Sequence, residues 1–108
     1  MNIFNAIASN EMPIIQQFLT EYITNKNEVT DIHGRTPIFY TIFYHDPKIL
    51  SLFLQYSPDL NKMDNFGLTC YDYAYYYDKL HSHNENQSFY KKLTDYKPHT
   101  RPIKMDDA

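Results

Sequence analysis

Cys70, His81 and His83 are the residues whose types and spacing first invite chemistry. A thiol at the start of a helical stretch can have its pKa lowered there, and beside a histidine it would serve as a nucleophile. Two histidines flanking one serine invite a metal ion. A structural zinc site, however, wants four ligands at recognised spacing. Here a single cysteine stands with neither a C-x-x-C nor an H-E-x-x-H pattern. The ligand count favours solvated loop histidines, no metal and no cofactor. Two widely separated glycines cannot build a phosphate-cradling loop. Asn86-Gln87-Ser88 matches a glycosylation sequon, which has no consequence without a secretory leader, and none is legible in Met1–Ala6. These residues favour a non-catalytic chain, with a thiol-dependent enzyme centred on Cys70 as the alternative.

Composition narrows the partners. A net charge of −3 without a basic run argues against nucleic acid, because phosphate binding needs a basic stripe. No segment approaches the roughly 18 apolar residues that span a bilayer, so no membrane is expected. One cysteine cannot form an internal disulfide, which fits a reducing, cytoplasmic compartment, or a host's cytoplasm for a delivered chain. With 43% apolar and 21% charged residues, the 108-residue chain reads as one folded, helix-leaning domain. Eleven tyrosines and seven phenylalanines with no tryptophan are a heavy aromatic load, and any account of the surface must place them.

The elements that position these residues follow from a repeat. Asp31-Ile32-His33-Gly34-Arg35-Thr36-Pro37 recurs as Asp64-Asn65-Phe66-Gly67-Leu68-Thr69-Cys70, and the two glycines of the chain lie 33 residues apart. A fixed period of that size is the mark of stacked repeats. Gly34 supplies the positive φ that a tight turn needs, and Thr36-Pro37 starts a helix running to about Tyr44. Residues 3–9 read as a short first helix. Asn10 then caps a second helix, with Pro13 in its first turn. Asp46 and Pro47 play the same parts for the next one. Ile14, Ile15, Phe18 and Leu19 recur as Ile49, Leu50, Phe53 and Leu54, two residues beyond the glycine period, which places a two-residue insertion in a loop near 22–28. A helix from Thr69 to about Leu80, an enlarged polar loop at 81–87 and a closing helix at 88–96 complete the chain. Residues 97–108 are expected to be an extended, mobile tail.

The D-x-x-G-x-T-P pattern at period 33, the paired apolar residues and Asp59-Leu60-Asn61 resemble the ankyrin repeat, whose signature is T-P-L-H-x-A. The resemblance covers residues 3 to about 96. It implies an all-α solenoid of stacked helix-turn-helix units with short β-turn or hairpin-like connections, in units of about 3–30, 31–63 and 64–96. The family's histidine is Phe39 in one unit and Asp72 in the next, and its alanine is Thr41 and Ala74. Cys70 stands at the family's proline, which favours a packing or turn role over a nucleophile. Such arrays mostly bind proteins through a concave face of turn tips and first helices. On this register that face carries Ile32, His33, Arg35, Phe43, Tyr44, Asn65, Phe66, Leu68, Tyr76 and Tyr77, with Tyr56 near a second-helix end. Aromatic and arginine side chains are enriched where partners bind, although single tyrosines also serve simply to pack repeats together. The expectation is a module, monomeric when free, that binds a protein partner as an effector, inhibitor or immunity-like protein.

Overall fold

The computed structural model describes residues 2–25, 29–56, 58–84 and 86–97. Six helices occupy them: α1 (Ile3–Ala8), α2 (Met12–Asn25), α3 (Pro37–Phe43), α4 (Pro47–Leu54), α5 (Cys70–Leu80) and α6 (Phe89–Tyr96). No strand occurs among the described residues. The protein is all-α, and no described helix is long and apolar enough to cross a membrane. The proposed mobile tail lies outside the described residues from position 98 onward.

Local chemistry explains the helix ends. Asn2 caps α1 by accepting the Asn5 N–H at 2.8 Å, Asp46 caps α4 by accepting that of Ile49 at 3.0 Å, and Ser88 caps α6 by accepting that of Lys91 at 2.9 Å. Pro37 and Pro47 sit where a missing N–H costs nothing. The reading of Asn10 as the cap of the second helix is corrected. Asn10 is instead the left-handed residue, φ 56°, that ends the first. The Glu11 N–H reaches the Ala6 carbonyl at 2.8 Å across it. His45 and Ser82 do the same after α3 and α5, both at φ 51°, with Asp46 N–H on Thr41 O and His83 N–H on Asp78 O. All three helix pairs therefore turn on one device. None of the three positions is a glycine, and at two of them asparagine and histidine tolerate this region better than most residues.

α2 also departs from expectation. Thr24 and Asn25 lie within it rather than in a loop, so part of the surplus length relative to α4 is helical. Residues 26–28 lie outside the described residues.

Packing orders the pairs. α1 packs on α3 and α3 on α5, while α2, α4 and α6 stay chiefly with their own partners. Ala6, Thr41 and Ala74 are fully buried in that row, where small side chains let helices approach. Thr41 returns its hydroxyl to the Ile38 carbonyl at 2.7 Å, so its burial leaves no unmet donor. Behind them Ile15, Leu19, Ile49, Leu50, Phe53, Leu60, Phe89 and Leu93 form one continuous apolar core. The molecule measures 39 × 26 × 23 Å.

Candidate interaction face

Two loops carry the centre of the site, and both are built by an aspartate. Asp31 Oδ1 accepts the N–H groups of His33 at 2.8 Å and Arg35 at 2.9 Å. Asp64 Oδ1 accepts those of Phe66 at 2.9 Å and Leu68 at 3.0 Å. Each loop closes backbone to backbone, Asp31 N–H to Arg35 O and Asp64 N–H to Leu68 O. Gly34 and Gly67, at φ 77° and 76°, make the reversal. The second carboxylate oxygen takes a tyrosine: Tyr40 donates to Asp31 at 2.5 Å, and Tyr73 to Asp64 at 2.6 Å. Both tyrosines lie nine residues after their aspartate, so this partnership is itself periodic.

Asn65 ties one loop to the other. Its N–H donates to the His33 carbonyl at 2.8 Å and its side-chain amide to the Ile32 carbonyl at 3.2 Å. The approach is so close that a Cβ at Gly34 would meet Asn65 Oδ1 at 2.6 Å. Rigid loops of this kind present side chains without first having to order them.

Those side chains are apolar and exposed. Ile32 is 88% exposed, Phe66 58%, Tyr44 53% and Tyr76 41%. Exposed His33 lies 5.9 Å from the Phe66 ring. Beneath them the rings run on without a break. Tyr40 stacks on Tyr44 at 6.3 Å and leans on Phe43 at 5.7 Å, Phe43 meets Tyr73 edge-on at 5.1 Å and Tyr77 at 6.0 Å, and Tyr77 meets Tyr76 at 6.1 Å. α3 and α5 thus join the two loops into one aromatic surface.

Several expected residues sit elsewhere or do other work. Arg35 is not a free turn-tip cation. Its guanidinium carbon lies 5.1 Å from the Phe43 ring, 5.6 Å from Tyr73 and 5.8 Å from Phe66, and its Nε is 3.6 Å from Asp64. It props the face from below. Leu68 is half-buried against the core rather than displayed. Tyr56 is apart altogether. It lines a recess with Phe18, Leu19, Phe53 and Pro58 on the α2/α4 side. That recess measures about 20 Å³, room for about one water and far below a ligand pocket.

The titrations follow from these contacts. Burial works to raise the Asp31 carboxyl, but the Tyr40 hydroxyl and the Arg35 and His33 amides outweigh it and hold Asp31 below its ordinary value. Burial and the Asp31 charge push Tyr40 up to about 12. Burial and Asp64 raise Tyr73 likewise. All these tyrosines stay protonated donors at neutral pH.

At Cys70 the lowered thiol pKa expected of a helix start does not occur. Its thiol is buried and points at the Leu60 carbonyl, 3.4 Å away, and burial pushes its pKa up rather than down. A thiolate there would have no solvation, so the residue packs.

The paired histidines are not simply solvated either. His81 is exposed, but His83 Nδ1 lies 2.9 Å from Asp78 Oδ1 with little exposure on either side chain. His45 brings a third ring, 4.4 Å from His81 and 6.0 Å from His83. Among the described residues no group of three or more histidine, cysteine or acidic side chains is arranged to hold a metal ion. Asp78 is the hub that sequence reasoning missed. Besides His83 it accepts from Ser88 Oγ at 2.7 Å and from the N–H groups of Phe89 and Tyr90 at 3.0 Å each. Tyr40 and Tyr73 were also passed over, although their 33-residue spacing is legible.

Compared with family models, with curated proteins and with solved structures, the chain matches none.

Proposed function

We propose that this chain is a short ankyrin-like array and acts as a non-catalytic protein-interaction module. It sequesters or blocks a partner protein in a reducing compartment such as the cytoplasm. The observation that carries this reading is the continuous aromatic surface of α3, α5 and the two glycine loops, topped by Ile32, Tyr44, Phe66 and Tyr76. Folded proteins seldom leave several large apolar side chains exposed on rigid elements of one face unless something covers them. Tyrosine and phenylalanine on preformed loops give contact area at low entropic cost. The ankyrin part of the reading rests on the period of 33, the shared aspartate-glycine loops and the row of helix pairs. The thiol alternative has no exposed sulfur to start from.

The test is a comparison of the wild type with an Ile32→Ser/Tyr44→Ser/Phe66→Ser/Tyr76→Ser variant. All four side chains are exposed, so the circular dichroism and melting curve should change little. A partner purified on the wild type should bind the variant at least about a hundredfold more weakly, given the usual cost of removing central apolar anchors. Equal affinity of the two chains for that partner would reject this face.

A further inference from the structure

We propose that His45, His81 and His83 form a proton-operated latch that holds α6 closed when the rings are neutral and releases it when they are charged. The inference is independent of the aromatic face.

The geometry is specific to the end of the row. His45 comes from the turn between α3 and α4, and His81 and His83 from the loop between α5 and α6. Their ring centres are 4.4, 5.5 and 6.0 Å apart. His45 and His83 each lie against the ring of Phe89, at 6.0 and 5.9 Å, and Phe89 is the buried first residue of α6. The cluster is therefore the lid over the anchor of α6.

The charged groups around it are unequal in number. From α5, Tyr77 stacks on His81 and on the edge of His45, and Asp78 pairs with His83. Lys79 turns over the Tyr75 ring. From the α3–α4 turn, Asp46 is committed to the N-terminus of α4. From α6, Phe89 lies against the cluster. Among the described residues Asp78 is thus the carboxylate in contact with the cluster. A charge on His83 would face that carboxylate directly. A second, on His45 or His81, places like charges within about one ring's width of each other. Burial and the two neighbouring imidazoles already hold His45 below an ordinary histidine, with Asp78 offsetting part of this.

The sign follows. A histidine whose folded pKa lies below its unfolded value binds protons better when its surroundings open. Closure is fully favoured above the unfolded value of about 6.5 and weakens as pH falls toward the folded value. His45 and His83 rest on the Phe89 ring, and Asp78 holds both His83 and the first amides of α6, so separating the charged rings unseats α6.

Amide hydrogen exchange on the full chain at pH 7.5 and pH 5.5, corrected for intrinsic rates, tests the latch. The α6 amides should lose several-fold in protection at the lower pH, while the α3 amides hold theirs. In a His45→Asn/His81→Gln variant, with asparagine chosen because it tolerates the left-handed backbone at position 45, the loss should vanish. A second readout needs no variant: the His45 ring proton resonance should titrate below an ordinary histidine, with the α6 loss following the same midpoint. No α6 loss in the wild type, an equal loss in the variant, an equal loss in α3, or an ordinary His45 titration would each overturn the proposal.

Discussion

Asp31 and Asp64 do the most local work, and each does it with a tyrosine. Removing one hydroxyl leaves the carboxylate short of a donor. Tyr73→Phe should cost about 2 kcal/mol, since Asp64 is buried and bonds to charged groups are the strong ones. Tyr40→Phe should cost less, about 1 kcal/mol, because Asp31 is only half-buried. Urea titrations at pH 7 measure both. The Tyr40→Phe penalty should also fade in acid. Asp31 is held below 3.8, so its contribution is complete above that value and disappears as pH falls through the folded pKa. A penalty that stayed constant from pH 7 to pH 3 would show that the hydroxyl does not act through the carboxylate. This pairing was legible at period 33, but a tyrosine amid so many others drew no notice. The contacts of Arg35 were not legible for a different reason: its partners Asp64, Phe66 and Tyr73 come from the next loop and helix, which local spacing does not reveal.

At the scale of elements, prolines and aspartates announced α3 and α4 to within a residue. Both act on the backbone beside them, so their signal is local. α2 ran past its expected end because Thr24 and Asn25, though weak helix formers, are not breakers, and a long helix carries them. Asp78 lies at the opposite extreme. It sits in α5, yet it caps α6 across a folded-back loop with no period. Four donors converge on it, from His83, Ser88, Phe89 and Tyr90. Asp78→Ala should lower stability by about 2 kcal/mol. The far-ultraviolet helical signal should fall by about the share of α6 before the rest melts. Melting in a single step with an unchanged signal would mean that α6 docks without its cap.

For the whole molecule, the row of helix pairs explains why the all-α class was readable while individual surfaces were not. The 3.6-residue period and the glycine turns concern near neighbours. Which side of a helix end faces the row is decided by packing between pairs. Tyr56 shows the difference: spacing places it near a second-helix end, but only the packing of α2 and α4 puts it in their recess.

The ties made by Asn65 have a consequence for length. What binds a loop to its own helix is the aspartate–tyrosine pair, whereas loop is bound to loop by the residue just after the aspartate together with Arg35. A gene segment encoding residues 31–63, inserted once more after position 63, brings its own aspartate and tyrosine. It arrives with isoleucine where the tie needs an amide. With Ile32→Asn in the inserted copy, the lengthened protein should unfold in one transition with a denaturant slope larger by about a third. The unmodified duplicate should melt at lower temperature. Extension of this protein therefore turns on the side chains at each seam, the Asn65 amide and Arg35 together, as well as on the helices that give it bulk.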